Sequence, residues 1–332
     1  MGVTIKDVAK KAGMSVTAVS LVLNNKETRI SKEKRALIES AAQELNYRPN
    51  RAAASLVTKK SKQIALILPE SSYYCFADLI RSMEYACRNV DYHLIVSFIS
   101  DDEEQIEKQI SSLISTGVEG IVMEPSVLSA SIRDLDSFIE KAEIPVIPLA
   151  AIGNKLLQRS IAPLFKEGSY LAVKTFLQNG RKRIGYIGSS EDSCVNNELL
   201  AGYTEAIESE ELEFEESLVF EGEFTSACGS QGLTKLFDQH VDAVFTSSMA
   251  IAQGVLAKAA QLGISVPGEL GIVTFGSSSV LTDYFPQEIS YVSVHFDRIA
   301  RKAISSIRNA GDEKATPAPD LVMPTVIDKG TF

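Results

Sequence analysis

Residues 15–25, SVTAVSLVLNN, have the pattern of a short amphipathic helix whose polar face carries no charge. At about 100° per residue, one face of such a helix is aliphatic and consists of Ala18, Val19, Val22 and Leu23. The opposite face carries small hydroxyl, amide and aliphatic groups, on Val16, Thr17, Ser20, Leu21 and Asn24. A face that meets only water usually carries charged residues. Small uncharged groups can instead contact base edges in the major groove of DNA.

Local signals predict a helix on each side of a tight turn at this point. Thr4 and Asp7 have the spacing of a capping box, which predicts a first helix that ends near Ala12. Gly13 breaks that helix, and Ser15 is placed to cap the second one.

A third helix is predicted after the loop that follows the second. Ser31 is placed as its N-cap, and its apolar pattern continues to about Leu45. Its apolar side is expected to hold Leu37, Ile38, Ala41 and Leu45. This arrangement is typical of a helix-turn-helix that places its second helix in the major groove. A three-helix module that binds protein has the same spacing, so both interpretations stand at this point.

Charge is distributed unevenly along the 332 residues. Residues 1–62 contain 13 Lys and Arg against 5 Asp and Glu, although the whole chain has a net charge of −10. A basic head on an acidic remainder is expected when only the head meets a polyanion. A solvated basic end without such a role is the other interpretation.

The pattern of apolar residues changes after the third helix. Pro49 suits the first turn of a short helix over about 49–57, and the polar residues 59–62 are predicted to form a linker. Apolar runs then follow at 64–70, 93–99, 120–125, 144–150, 183–189, 217–224, 242–248 and 270–277. Segments of helical period lie between them, among others at 77–90, 103–116, 167–179, 198–208 and 250–262. This alternation predicts an α/β fold with two parallel sheets that carry helices on both faces.

The remaining sequence features exclude several classes of protein. No apolar run approaches the ~18 residues of a membrane span, and the N-terminus lacks the apolar core of a signal peptide. The four cysteines show no CxxC spacing and are expected to be reduced, buried thiols of a cytoplasmic protein. Three histidines lie far apart, and no common phosphate-binding, zinc-protease or hydrolase motif occurs. We therefore expect no catalytic residue, no cofactor and no metal.

Two stretches of the head, VTIKDVAKKAGMSVTAVSLVLNN and YRPNRAAASL, resemble the head of the lactose/galactose repressor (LacI/GalR) family of bacterial transcription regulators. The resemblance continues along the chain through VEGIVMEPS, NGRKRIGYIGSSEDS, LAGYTEAI, LGISVPGELGIVTFG and MPTVIDKGTF. It implies a regulator, by family default a repressor, that binds a palindromic operator as a homodimer with one head on each half-site.

The resemblance also implies which residues contact DNA. These positions carry small polar or aliphatic residues, namely Thr4, Ile5, Ser15, Val16, Thr17, Ser20, Asn24, Ser31 and Asn50. In this family the 49–57 segment folds on DNA beside its twin from the other subunit, and Ala53 is one of the small residues that allow close approach. Leu56 matches a leucine that is wedged into the central minor-groove step. We expect Leu56→Ala to weaken operator binding much more than nonspecific binding.

Leu21 departs from the family pattern, in which many relatives carry Arg at this position and use it to contact guanine. A bidentate Arg–guanine pair contributes ~1–3 kcal/mol of discrimination between bases. Leu21 cannot form that pair. We therefore count Leu21 among the DNA-contact residues and expect an operator that does not require guanine opposite it.

For the rest of the chain the resemblance implies a core like that of periplasmic sugar-binding proteins, in which two Rossmann-like halves enclose an effector cleft. The expected domains are a head at 1–58, a linker at 59–62 and a core at 63–332. Within the core, the expected N-terminal half comprises about 63–162 and 293–322, and the C-terminal half about 163–292 and 323–332. The chain would cross between the halves near 161–164, 290–294 and 321–325.

The expected cleft lacks most of the polar groups that hold sugars in this family. Ala150, Ala151, Leu164, Leu199 and Met249 stand where relatives commonly carry Asp, Asn or Arg. Each buried sugar hydroxyl needs a hydrogen-bond partner, so these changes argue against a simple sugar effector in the usual pose. The candidate cleft residues are aromatic, weakly polar or substituted, namely Tyr73, Tyr74, Phe76, Glu124, Phe165, Leu199, Ser248, Phe275 and Ser277.

Three interpretations of this cleft stay open. It binds a flat, weakly polar molecule that stacks on Tyr73 and Tyr74; or it is closed and a protein partner controls the regulator; or the regulator senses nothing directly. A cytoplasmic small-molecule-binding protein of the periplasmic-binding type is the alternative for the whole chain, although the basic head argues against it.

The expected partners are double-stranded operator DNA, a second copy of the chain, and a small non-sugar effector or a protein co-regulator. No tetramerising heptad tail follows the last strand pattern, so a dimer is the expected assembly. The expected location is the bacterial cytoplasm, at the nucleoid when DNA is bound and without membrane association.

Overall fold

The computed structural model of the chain describes residues 3–24, 29–48, 60–70, 76–99, 103–124, 142–149, 160–190, 194–276, 287–310 and 320–332. The chain divides into two units between Ser61 and Lys62.

The head consists of three helices, α1 (Ile5–Ala12), α2 (Val16–Leu23) and α3 (Lys32–Glu44). Their shared core contains the buried residues Val8, Ala9, Val19, Val22, Ile38, Ala41 and Ala42. The expected burial of Leu37 is wrong, because its side chain is 57% exposed. Helix α3 turns Ile38, Ala41 and Ala42 toward the core, and this stripe leaves Leu37 at its edge.

The second unit contains a four-stranded parallel sheet in the order β2-β1-β3-β4. Its strands are β1 (Gln63–Pro69), β2 (His93–Ile99), β3 (Ile121–Met123) and β4 (Val146–Pro148). Helices α4 (Ala77–Arg88) and α5 (Glu103–Ser115) connect these strands. Strand β1 is fully buried over 64–69, because it lies between two neighbours and has apolar clusters on both faces.

A six-stranded sheet has the order β12-β10-β9-β8-β6-β7. Its strands are β6 (Ile184–Ser189), β7 (Val219–Gly222), β8 (Ala243–Thr246), β9 (Gly271–Phe275), β10 (Ser290–Ser293) and β12 (Thr325–Ile327). All neighbours are parallel except β10 and β12, which are antiparallel. The expected all-parallel arrangement is therefore wrong at one edge of this sheet, where β12 is antiparallel to β10.

Helix pairs cover both faces of the six-stranded sheet. Helices α6 (Phe165–Gln178) and α7 (Cys194–Glu208) pack with Tyr186, Phe245 and other residues of one face. Helices α8 (Ser226–Phe237) and α9 (Met249–Leu262) pack on the opposite face. This layering of helices on a mostly parallel sheet confirms the expected α/β fold class.

Short strands lie at the three places where the chain passes from one sheet to the other. Strands β5 (Ile161–Pro163) and β11 (Asp320–Val322) pair in parallel, and β10 is the third. Helix α10 (Phe296–Asn309) follows β10 but packs with α4 in the apolar cluster of the four-stranded sheet. The two sheets are therefore joined through three closely spaced crossings. Among the described residues, no helix has the length and hydrophobicity needed to cross a bilayer.

Candidate nucleic-acid interface and effector cleft

The first two helices are fixed by their ends. The Thr4 backbone N–H and hydroxyl both donate to Asp7 Oδ2, at 2.8 and 2.7 Å, and these bonds lower the pKa of the Asp7 carboxyl. Gly13 ends α1 with φ +64°, a left-handed conformation that glycine adopts without strain. Ser15, two residues after Gly13, is the N-cap of α2. Its Oγ accepts a hydrogen bond of 3.2 Å from Ala18 N–H.

Helix α2 has two different faces in the structure, as its periodicity predicts. Val19 and Val22 are buried in the head core, and Ala18 and Leu23 are half-buried. On the other face, Val16 and Thr17 are exposed, and Ser20 and Leu21 are half-buried. At the end of that face the Asn24 side-chain amide donates to the Ser20 carbonyl oxygen at 2.8 Å. The face is therefore an uncharged, solvent-accessible surface with methyl, hydroxyl and amide groups.

The remaining predicted contact residues lie at helix starts. Thr4, Ser15 and Ser31 are the N-caps of α1, α2 and α3, and Ile5 is the first residue of α1. Helix N-termini present unpaired N–H groups and a positive dipole end, so they are suited to phosphate oxygens. The predicted contacts Asn50, Ala53 and Leu56 lie outside the described residues.

The same head exposes several cations. The exposed basic residues there are Lys6, Lys10, Arg29, Lys32, Lys34 and Arg48. Lys11 is engaged differently, because its Nζ lies 2.7 Å from Glu44 Oε2 and links α1 to α3. A head that has both a neutral helix face and exposed cations can combine base contacts with phosphate contacts.

The structure separates the predicted cleft residues into two groups. Phe76 and Glu124 belong to the four-stranded sheet, where Phe76 is half-buried and Glu124, just after β3, is 7% exposed. Phe165, Leu199, Phe275 and Ser248 belong to the six-stranded sheet and its helices. Tyr73, Tyr74 and Ser277 lie outside the described residues.

Within the second group, three residues share one apolar cluster. The rings of Phe165 and Phe275 lie 5.6 Å apart at 34°. Leu199 is 1% exposed and packs in the same cluster, so its side chain lies inside the protein rather than on an open surface. Ser248 caps α9, because its Oγ accepts a hydrogen bond of 3.3 Å from Ile251 N–H. This side of the candidate cleft is thus aromatic and aliphatic.

Two buried polar residues in this part of the six-stranded sheet were not predicted from the sequence. Tyr186 and Ser247 are buried, and their hydroxyl oxygens find no hydrogen-bond partner in the described part of the chain. The only sequence signal is the position of Ser247 directly after β8, at the edge where ligands usually bind parallel sheets, whereas Tyr186 lies in the middle of the β6 run.

The crossings between the sheets contain a histidine in an unusual backbone conformation. His295 precedes α10 with φ +53°, and its Nε2 lies 3.0 Å from Thr325 Oγ1. This contact joins the crossing after β10 to the crossing before β12. Burial lowers the pKa of His295 below its usual value near 6.5, and Arg298 lowers it further.

We expect His295 to make the free energy of unfolding depend on pH. Since the folded state disfavours the charged imidazole, its contribution is present above pH 6.5 and is lost as pH falls through 6.5 toward the lower folded pKa. His295→Asn, which tolerates the same backbone conformation, should reduce the loss of stability between pH 7.5 and 5, measured by urea unfolding.

The matched control is His240→Asn. His240 is exposed and also has a positive φ, of 59°. It should leave the pH profile of the wild type unchanged, whereas an equal effect of both substitutions would contradict the role of His295.

Two of the four cysteines are buried thiols, as the sequence predicts. Cys87 and Cys228 are free and buried, and burial raises the pKa of Cys87 to about 12. The described residues contain no group of three or more His, Cys, Asp or Glu side chains that could hold a metal ion.

Comparison with known proteins identifies both units. Residues 4–50 match the family model for bacterial regulatory proteins of the lacI family, and residues 173–332 match a periplasmic binding protein-like domain. Catabolite control protein A of Staphylococcus xylosus is 28% identical across 100% of this chain and 99% of its own length. The protein of the same name from Priestia megaterium is also 28% identical, over 90% of this chain and 89% of its own.

Solved structures show the same fold. The lac repressor bound to ONPG in its repressed state superposes with a TM-score of 0.81 at 18% identity, with 100% of both chains covered. The lac repressor dimer bound to operator and the anti-inducer ONPF gives 0.78 at 18% identity, with 100% and 99% covered. The head thus matches the lacI family of bacterial regulatory proteins, and the chain combines it with a periplasmic binding protein-like domain, which is the combination of a DNA-binding transcription regulator.

Proposed function

We propose that this regulator is a repressor that binds a palindromic operator as a homodimer. The observation that carries the proposal is the uncharged, accessible face of α2, in a head that also exposes cations, opposite a face whose Val19 and Val22 are buried in the head core. Such a face inserts into a major groove without losing ion pairs, while the surrounding cations neutralise phosphates.

The proposed contacts follow from exposure and chemistry. Val16 and Leu21 offer methyl groups to thymine methyls, and Thr17, Ser20 and Asn24 offer hydrogen bonds to base edges or phosphates. Thr4, Ile5, Ser15 and Ser31 place helix N-termini against phosphates. The roles of Asn50, Ala53 and Leu56 rest on the family resemblance.

A second copy is proposed to pack against the open edge of the four-stranded sheet. Strand β2 is the outer strand of that sheet, and Phe98 on it is 41% exposed. Tyr85 on the neighbouring α4 is 57% exposed. Exposed aromatics beside a sheet edge are typical of a contact surface. The solved lac repressor, which has this fold, is a dimer on its operator.

Binding of the purified full chain to DNA fragments in fluorescence anisotropy tests the proposal. We expect one palindromic fragment to bind far more tightly than random competitor, and light scattering to give twice the 36.1 kDa mass of one chain. The logarithm of affinity should fall with the logarithm of salt concentration, with a slope of roughly −0.9 for each neutralised phosphate. Equal affinity for every duplex would contradict the proposal.

Leu21 makes a specific prediction about the operator sequence. Selection of binding sites from a random pool should return no strongly required guanine opposite residue 21. Leu21→Arg should create that requirement, with ~1–3 kcal/mol of preference for guanine from a bidentate contact. A required guanine in the wild-type site would contradict this assignment.

The effector is proposed not to be a sugar in the usual pose. Phe165 and Phe275 pack ring against ring where a sugar would need hydrogen-bond partners. The structure of one neighbour in this fold is described as a complex of the regulator CelR with cellobiose. We expect calorimetry of this chain with monosaccharides and disaccharides to show no saturable binding.

A further inference from the structure

Two buried hydroxyl groups in the six-stranded sheet lack the partner that such groups normally have. Tyr186 is 0% exposed and Ser247 is 6% exposed, yet neither oxygen forms a hydrogen bond within the described residues. Tyr203, in the same apolar cluster, shows the normal state, because its hydroxyl donates to the Ile184 carbonyl oxygen at 2.8 Å. Buried polar groups are almost always paired, so each exception needs an explanation.

The two residues stand on paired strands near the carboxyl end of the sheet. Strands β6 and β8 are paired, and a hydrogen bond of 3.0 Å from Ser247 N–H to the Ile187 carbonyl oxygen continues their ladder. That register puts Ser247 beside Gly188, on the sheet face that carries Tyr186. The Tyr186 ring lies over Gly188, where an added Cβ would come within 2.6 Å of the Tyr186 Oη.

The surroundings of the pair are aromatic. The pairing of β8 with β9 places Phe275 next to Ser247 on the same face, and Phe165 packs on the ring of Phe275. Burial raises the pKa of Tyr186, and Glu221, which pairs with Gly188 from β7, raises it further. Tyr186 therefore stays a neutral donor, and a nearby carboxylate disfavours an anionic ligand at this place.

We propose that Tyr186 and Ser247 form the hydrogen-bonding floor of the effector site, and that the effector is a small neutral aromatic molecule with a carbonyl group. One carbonyl oxygen has two lone pairs and can accept from both hydroxyls at once. A planar body then packs against Phe165 and Phe275. The inference rests on the proposed function, in which this cleft senses a small molecule, and adds the class of that molecule.

Benzamide and acetophenone are the probes, and D-glucose and benzoate are the controls for polyhydroxylated and anionic ligands. Isothermal titration of the full chain should give saturable binding of a neutral probe in the millimolar range or tighter, and none of D-glucose or benzoate. Tyr186→Phe and Ser247→Ala should each weaken that binding at least tenfold. Without ligand, both variants should keep or raise the wild-type melting temperature, because an unpaired buried hydroxyl has been removed.

Tyr203→Phe is the matched control, because it removes a hydroxyl that is paired. It should lower the melting temperature and leave probe affinity within twofold of the wild type. The proposal is overturned if neither neutral probe binds, if Tyr186→Phe binds the probe as the wild type does, or if Tyr186→Phe is destabilised as much as Tyr203→Phe.

Operator binding is measured on the same preparations. A chain that binds operator but no probe overturns this inference alone, whereas loss of operator binding by the wild type overturns the proposed function.

Discussion

Leu21→Glu is expected to weaken operator binding about a hundredfold or more, because it removes an apolar base contact and places a carboxylate among phosphates. Each lost base contact costs ~1–3 kcal/mol, and a tenfold change in affinity corresponds to about 1.4 kcal/mol. Leu21 is not packed against the head core, so the helix should remain folded. Fluorescence anisotropy with the selected operator measures the loss, and circular dichroism of the full chain checks the fold.

The chain offers a control with the same change in charge. Leu37 lies on α3 of the same head and is 57% exposed, so Leu37→Glu introduces an identical carboxylate on a different face. If α2 is the reading helix, Leu37→Glu should weaken binding less than tenfold. Equal losses for the two variants would mean that net charge, rather than the face of α2, determines affinity.

The long buried strands could be predicted from the sequence, because parallel strands covered on both faces are continuous apolar runs. The run at 93–99 has the bounds of β2, and the run at 64–70 differs from β1 by one residue at each end. The faces of α2 could be predicted for a similar reason, since one apolar stripe is enough to bury Val19 and Val22.

Elements defined by distant contacts could not be predicted in this way. Strands β5, β11 and β12 have three residues each and lie outside the apolar runs identified in the sequence, and they form where the chain crosses between the sheets. Helix α8 contains Gly229 and Gly232, which lower helix propensity and hide the helix from a local analysis. The unpaired state of Tyr186 was equally hidden, because it depends on Gly188 leaving room for the ring.

Gly254→Ala is expected to destabilise the core by about 3 kcal/mol, although local propensity predicts a gain of about 1 kcal/mol for this change inside a helix. Helices α8 and α9 touch through their backbones at this point. A Cβ on Gly254 would lie 1.8 Å from the Ser226 carbonyl oxygen, and a Cβ on Gly229 would lie 1.9 Å from the Ile251 carbonyl oxygen. The obstacle is backbone and cannot rotate away, so the helices must separate.

Separation of these helices would also break the hydrogen bond from Ser230 Oγ to the Gly254 carbonyl oxygen, now 3.0 Å long, and loosen the apolar cluster beneath them. The matched control is Ala257→Gly, the reverse exchange at an exposed position of the same helix, which should cost only about 1 kcal/mol. Urea unfolding of both variants separates the two effects. A Gly254→Ala chain as stable as the wild type would mean that α8 and α9 are not in backbone contact. A large loss of stability in Gly254→Ala and a small one in Ala257→Gly would instead show that the close approach of the helices, not helix propensity, requires glycine at position 254.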